Sequence, residues 1–327
     1  MRAGTVEGQR AALPRLLVSL PALDEEETVA AVVRGVPRQI PGVGRVDVVV
    51  VDDGSRDRTG DRAREAGAEV IRHETTRGVG AAFHSVLAHG IESGADLIVS
   101  IDADGQFDPA DIPRLVEPVA AGRADFASGS RFADPALTPE MPWLKRWGNR
   151  AMSRLISRLA GQRFHDVSCG FRCYSRAAAL QLHLLGRFTY TQEVFLNLAF
   201  KQLRIVEVPI RVQGVRRVGE SRVAASLWRY ALRSAQIILR CYRDYHPLRF
   251  FGGMALLLAI PGFGLGAFLL WHYVETGALS PHKWAGFASA TLLGLALLLL
   301  QLGVIGDMLT RHRVYLEEVL FRLRNKT

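Results

Sequence analysis

The sequence predicts an α/β domain with a Rossmann-like, mostly parallel sheet, followed by an amphipathic helix and two transmembrane helices. Three observations lead there. Short apolar runs alternate with helical segments from Leu16 to about Arg131, the pattern of repeated β–α units that builds a parallel sheet. Two of the runs end in acidic clusters, Asp52-Asp53-Gly54-Ser55 and Asp102-Ala103-Asp104-Gly105-Gln106. Beyond Phe250, two long stretches carry almost no charge.

Residues 1–15 are polar, contain glycine and lack the apolar h-region of a signal peptide, so they are expected to form a loose tail. Leu16–Leu20 reads as a strand, and Glu25–Val36 as a helix whose opening acids suit a helix N-terminus. Strands are expected at Val46–Val51, Ala68–Arg72, Asp96–Ile101 and Ala124–Ser128, with helices at Asp57–Ala66, Gly78–Gly90 and Asp111–Ala120 between them. The second and fourth strands are apolar on both faces, as buried parallel strands are. Pro135, Pro139 and Pro142 interrupt the alternation, and a basic helix follows at Lys145–Leu159. Short strands at Phe171–Tyr174 and Arg204–Ile210 flank a helix at Tyr190–Lys201 and complete an α/β domain over 16–225.

Residues 226–249 form a juxtamembrane segment. Within Ser226–Tyr245, Leu227, Ala231, Ala235, Ile238, Tyr242 and Tyr245 make one apolar stripe, and Arg229, Arg233, Arg240 and Arg243 lie across from it. A basic amphipathic helix of this kind suits a membrane surface. Phe250–Val274 and Trp284–Leu309 each exceed the roughly 20 residues that span a bilayer, which sets a two-helix hairpin at 250–310. Pro261 and His272 are tolerable within a spanning helix. Arginines gather on both outer flanks, while the loop Glu275–Lys283 has one acid and one base. By the positive-inside rule, the flanks, the tail 311–327 and the α/β domain are expected to face the cytoplasm of a cell membrane.

Composition narrows the partners. The chain of 327 residues is 49% hydrophobic, too apolar for disorder, and carries a net charge of +9. Because the apolar residues are concentrated toward the C-terminus, this charge points to lipid and phosphate and not to nucleic acid. Cys169 and Cys173 lack further Cys or His partners at zinc-ligand spacing and read, with Cys241, as reduced thiols.

The acidic strand ends carry the chemistry. Ligands of open α/β sheets bind beyond the carboxyl ends of the strands. Carboxylates crowded there repel unless a cation or hydrogen-bond donors offset them. Asp102-x-Asp104 suits a hard cation, Mg²⁺ or Mn²⁺, bound together with a phosphate-bearing ligand.

Pro21-Ala22-Leu23-Asp24-Glu25, Asp52-Asp53-Gly54-Ser55-x-Asp57-x-Thr59, Arg77-Gly78-x-Gly80-x-Ala82, Asp102-x-Asp104-x-Gln106 and Gly129-Ser130-Arg131-Phe132 occur in that order. So arranged, they resemble inverting family 2 glycosyltransferases of the GT-A fold. Asp166-Val167-Ser168-Cys169-Gly170-Phe171-Arg172 and Arg216-Arg217-Val218-Gly219-Glu220-Ser221-Arg222 look like signatures of dolichyl-phosphate mannose synthases and related polyprenyl-phosphate glycosyltransferases. The resemblance covers about Leu16 to Arg222. It implies a donor-nucleotide site at Pro21, Glu25, Asp52, Asp53, Arg77 and Asp102, and a metal held by Asp102, Asp104 and Gln106. It implies phosphate contacts from Arg131, Arg216, Ser221 and Arg222. Catalysis would rest on Asp166, Arg131 and Arg216. Position 222 is usually Lys in the family, Leu23 stands where an aromatic residue is common, and Asp24 replaces a common Asn.

The reaction expected is transfer of one sugar from a nucleotide-sugar donor, of the GDP-mannose or UDP-glucose type, to a polyprenyl (dolichyl or undecaprenyl) phosphate, with inversion. Because a phosphate monoester is mostly dianionic at pH 7, Asp166 is expected to orient the acceptor first and take a proton only second. Two alternatives remain open: transfer to another lipid or to a polysaccharide, and a non-catalytic membrane scaffold. The Gln-x-x-Arg-Trp motif of processive synthases does not occur. A homo-oligomer is compatible with the sequence and not required by it.

Overall fold

The computed structural model describes residues 13–182, 190–212 and 227–324. The chain divides between Ser234 and Ala235 into two compact units.

The first unit holds strands β1 (Arg15–Ala22), β2 (Arg45–Asp52), β3 (Glu69–Arg72), β4 (Leu97–Ser100), β5 (Phe126–Ser130), β6 (Arg172–Ser175) and β7 (Ile205–Pro209). They form one sheet in the order β3-β2-β1-β4-β6-β5-β7. β1 pairs in parallel with β2 and β4, β2 with β3, and β5 with β7. Val49, Val50, Val51, Ile98 and Val99 are fully buried, as strands covered on both faces require. Helices α1 (Val29–Gly35), α2 (Thr59–Glu65), α3 (Val79–Glu92) and α4 (Ile112–Ala120) are the crossovers. Helices α5 (Trp143–Ala160), α6 (Arg176–Gln181) and α7 (Thr191–Phe200) complete the unit; α6 has no counterpart among the elements expected from the sequence.

The sheet departs from simple β–α repetition at β6, which runs antiparallel to both β4 and β5. After β5 the chain makes a long excursion at the carboxyl end of the sheet and then returns through it. A strand entering from that side must run against its neighbours. Its insertion brings the Asp166–Arg172 segment beside the acidic end of β4.

Helix α1 starts at Val29, four residues later than Glu25. Asp24 adopts a left-handed φ of 50°, which Asp and Asn tolerate better than most residues. The N–H groups of Asp24 and Glu25 donate to Ser55 Oγ (3.0 Å) and Thr59 Oγ1 (2.7 Å). Those groups serve to join two strand-end loops, so the helix begins after them.

The second unit contains the C-terminal part of α8 (Leu227–Tyr245), α9 (Pro247–Thr276) and α10 (Lys283–Arg324). The buried line of α8 runs through Ser234, Ile238 and Cys241, while Ala235 of the expected stripe is exposed. α9 and α10 are 30 and 42 residues long and apolar enough to cross a bilayer. Leu257 (73%), Val274 (74%) and Phe287 (77%) are largely exposed, unlike the core helices of a soluble protein. Small residues bring the pair together: a Cβ on Gly306 would lie 2.6 Å from Pro247 Cβ, and Ser289 Oγ donates to the Gly262 carbonyl at 2.8 Å. At about 1.5 Å per residue α10 is far longer than a ~30 Å hydrocarbon layer. Its last turns carry the pairs Arg311–Asp307, Arg313–Glu317 and Arg322–Glu318, so the expected tail is helical as far as Arg324.

Candidate active site

Strand register places the acidic ends together. Ala22 of β1 pairs with Asp52 of β2, Ser19 of β1 pairs with Ser100 of β4, and Ile101 N–H continues that ladder to the Ser19 carbonyl. The sheet order reverses direction at β1, so Pro21, Glu25, Asp52 and Asp102 lie at the carboxyl ends of β1, β2 and β4, the edge where such sheets bind ligands.

Asp52 and Asp53 build the loops on one side. Asp52 is fully buried, accepts the Ser55 N–H at 2.8 Å and lies 3.4 Å from the Arg72 guanidinium. Asp53, 3% exposed, accepts hydrogen bonds from His73 Nδ1 (2.7 Å) and from the N–H groups of Arg77 (3.0 Å) and Gly78 (2.8 Å). His73 Nε2 in turn lies 2.9 Å from Ser85 Oγ on α3. Asp53 therefore pins the loop that carries the exposed Arg77 side chain, and has little accepting capacity left for a nucleoside. Asp57 ties the neighbouring turns. Burial raises the pKa of its carboxyl, but hydrogen bonds from the Thr59 side chain, Thr59 N–H and Glu26 N–H outweigh that and hold it below the usual range.

Asp102 and Asp104 follow β4. Burial, then the Asp104 charge, lift the Asp102 carboxyl to about 7 against the opposing pull of Arg172 and Arg131. Asp104 is also raised by burial, although its Oδ1 accepts the Gln106 N–H at 3.1 Å. Thr28 Oγ1 donates to the Ala103 carbonyl at 2.8 Å, fixing this loop to the start of α1. A Cβ on Gly170 would come within 2.6 Å of Asp102 Oδ2, so only glycine leaves this carboxylate its place. Among the described residues no three His, Cys, Asp or Glu side chains gather as a metal cluster. Two hard carboxylates, both made less acidic by burial and Asp102 further by the Asp104 charge, nonetheless fit a Mg²⁺ or Mn²⁺ ion, which completes its shell with water and ligand phosphates.

Facing them, β5 ends at Ser130 and leads directly to Arg131. Arg131 Nε and Nη2 clasp Asp166 Oδ2 and Oδ1 at 2.6 and 2.9 Å, and Nη2 reaches Ser168 Oγ at 2.7 Å. Asp166 is fully buried and also accepts from the N–H groups of Arg131 and Ser168 and from the Ser168 hydroxyl. Burial alone would raise its pKa, but the Arg131 charge and these hydrogen bonds hold it below the ordinary carboxylate range. A carboxylate so saturated is a poor base. Glu207 of β7 supports it from behind, accepting the N–H groups of His165 and Asp166 and the His165 Nδ1, each at 2.8 Å.

The structure thus brings together the strand-end positions read from the sequence, and Arg216, Ser221 and Arg222 lie outside the described residues. Sequence reasoning missed His73, Thr28 and Glu207, and read Gly170 only as part of a signature. Their partners are 20, 75, 68 and 41 residues away, counted from His73–Asp53, Thr28–Ala103, Gly170–Asp102 and Glu207–Asp166, so no local spacing marks them. Cys169 and Cys173 are buried and free; burial pushes the Cys169 thiol up to about 12 and the Cys173 thiol further, so both stay protonated and inert.

Residues 18–182 match the family described as Glycosyl transferase family 2. The chain belongs to that family. As a family 2 glycosyltransferase it is 32% identical over 222 residues to the undecaprenyl-phosphate mannosyltransferase of Micrococcus luteus, covering 65% of this chain and 89% of that one. It is 29% identical over 231 residues to the polyprenol monophosphomannose synthase of Mycolicibacterium smegmatis, covering 66% and 86%. A match to the undecaprenyl-phosphate 4-deoxy-4-formamido-L-arabinose transferase of Pseudomonas aeruginosa, 30% identical, spans 92% of this chain and 89% of the relative. In fold, this glycosyltransferase is similar to glucosyl-3-phosphoglycerate synthase of Mycobacterium tuberculosis in complex with Mn²⁺, UDP and glucosyl-3-phosphoglycerate, with TM-score 0.54, 23% identity and coverage of 71% and 80%. The expected GT-A architecture is thereby shown.

One consequence for the site is testable by a single methyl group. Gly170→Ala is expected to leave thermal stability close to that of the parent while reducing transfer by roughly 10²-fold, because the methyl displaces Asp102. Steady-state rates of the variant, compared at equal folded concentration, check it.

Proposed function

We propose that this enzyme transfers one sugar from a nucleotide diphosphate sugar to a polyprenyl phosphate at the cytoplasmic membrane face, in one in-line displacement with inversion. The observation that carries the reading is the opposition of Asp102 and Asp104 to the Arg131–Asp166 pair at the carboxyl edge of one sheet. One side suits a metal–diphosphate; the other presents a guanidinium to a phosphate. The named substrates of the relatives support a polyprenyl-phosphate acceptor, and the ligands of the structural neighbour support a divalent metal with a nucleotide. The two long apolar helices supply an anchor beside a lipid acceptor.

Asp102, Asp104 and Gln106 would hold Mg²⁺ or Mn²⁺. The metal supplies Lewis-acid stabilisation of charge on the leaving diphosphate. Asp52 and Asp53 fix the loops around the nucleoside, with Glu25 at the rim. Asp166 keeps Arg131 extended toward the acceptor phosphate. An oxygen of that phosphate forms a bond to the sugar anomeric carbon as the bond from that carbon to the diphosphate breaks. The products are a glycosyl phosphate lipid and a nucleoside diphosphate. No proton need move, since a phosphate monoester with second pKa near ~6 is already largely dianionic at pH 7. Arg216, Ser221 and Arg222, outside the described residues, are the further phosphate contacts of this reading.

The test combines the purified full chain in detergent, Mn²⁺ or Mg²⁺, labelled GDP- and UDP-sugars and a polyprenyl phosphate. An anionic glycolipid that appears with one donor class, with inverted anomeric configuration, is the expected product. Absence of product with every donor, together with transfer to a free sugar or a protein, overturns the reading.

A further inference from the structure

Arginine is almost never fully buried without an anionic partner. Arg172, at the start of β6, is 0% exposed, and among the described residues it has no ion pair. Its Nε donates to the Cys169 carbonyl at 2.8 Å, and its Nη2 to the carbonyls of Val167 (3.3 Å) and Thr191 (3.0 Å). The rings of Phe126, Tyr190 and Phe195 surround the guanidinium carbon at 5.7, 5.6 and 5.2 Å. Nη1 is buried with no hydrogen-bond partner; the Tyr174 hydroxyl is near enough to feel the charge, yet no hydrogen bond of good geometry closes between them. A buried guanidinium carries a desolvation cost, and with Nη1 left without a partner these carbonyls and rings offset it only in part.

The carbonyls it binds suggest what it does. Val167 and Cys169 lie between Asp166, which orients Arg131, and Gly170, which makes room for Asp102. Thr191 opens α7. A planar guanidinium can hold peptide carbonyls on two segments at once and stack among aromatic rings; an ammonium cannot reproduce that fork. The neighbouring strand pairing, Ser100 to Arg172 and Arg172 to Ser128, places this fork at the junction of β4, the metal-ligand strand, and β5, which leads to Arg131.

We propose that Arg172 is a positioning residue for sugar transfer: its guanidinium clamps the 166–170 loop and the start of α7 to the sheet, holding Asp102 and the Arg131–Asp166 pair in one frame. This rests on the reading that those groups face the donor and the acceptor. Arg172→Lys keeps the charge and loses the fork. With the full chain in nanodiscs, kcat per folded enzyme is expected to fall about tenfold or more. Amide hydrogen exchange across 166–170 should quicken while β1 and β2 exchange as before. Unchanged exchange in the loop, or a lowered Tm with kcat within about twofold of the parent, overturns the clamp. If Arg172→Lys does not fold, Phe195→Leu removes one ring from the guanidinium and no hydrogen bond. The same local quickening is then expected, and its absence overturns the proposal. Asp104→Asn run alongside, with Mn²⁺ binding read by electron paramagnetic resonance, separates the two ideas. Retained Mn²⁺ affinity in that variant counts against the metal reading, whereas the exchange result judges the clamp regardless.

Discussion

Asp104→Asn is expected to reduce sugar transfer by roughly 10²–10³-fold, the scale on which a group stabilising transition-state charge acts. Asn keeps the shape of the side chain and its oxygen, but not the charge that a divalent cation needs. The fold should not suffer. Burial disfavours ionisation of both carboxyls and the Asp104 charge disfavours that of Asp102 further, so removing the Asp104 charge relieves repulsion in the metal-free protein. Circular dichroism and thermal melts should therefore match or exceed the parent while Mn²⁺ binding falls. A variant that melts earlier and still binds Mn²⁺ would place the carboxylate in the scaffold and not at the metal.

Asp166→Asn should differ, because it costs both stability and activity. Asp166 is fully buried and is clasped bidentately by Arg131, which is itself 15% exposed at its side chain. Removing one charge of such a pair leaves the other stranded and typically costs about 3–5 kcal/mol. The pH dependence has a definite sign. The pKa of Asp166 in the folded protein lies below its ordinary value. Its contribution to stability is thus fully present above the unfolded pKa near ~3.9 and is lost as pH falls through the folded value. Stability at pH 7 should drop, and because the variant lacks the acid-side loss that Asp166 contributes, its stability should differ less from that of the parent as pH falls. Replacing Arg131 by Met in the Asp166→Asn background should restore much of the stability and none of the transfer, since the stranded charge is gone but so is the phosphate ligand. Denaturant melts and single-turnover rates of the four proteins in that cycle decide the matter. Recovered activity in the double variant would remove Arg131 from the reaction.

How much of this could be read in advance depended on sequence separation. Asp52 and Asp102 are visible because an apolar strand immediately precedes each, and period and position together say where such a residue must go. β6 is harder: Phe171–Tyr174 reads as a strand, but nothing local says that it slots between β4 and β5 running backwards. The helix expected over Glu25–Val36 starts later because the acceptors that hold the Asp24 and Glu25 N–H groups belong to a loop some thirty residues on. Asp53 is the sharpest case. Its motif suggests contact with a nucleoside, whereas the folded chain turns its carboxylate on His73 and the Arg77–Gly78 backbone.

The sequence by itself determined the class of fold, the acidic strand ends, the membrane-scale length of the C-terminal helices and the kinds of groups at the site. These follow from periodicity, charge and length, which are properties of short windows of chain. Only the tertiary structure decided which oxygens are already spent, that Asp166 is saturated by Arg131 and Ser168, that Glu207 braces it, and that Gly170 clears space for Asp102. Those are matters of distance between residues far apart in the chain, and a hydrogen bond or a steric limit exists only once the sheet has brought them within reach.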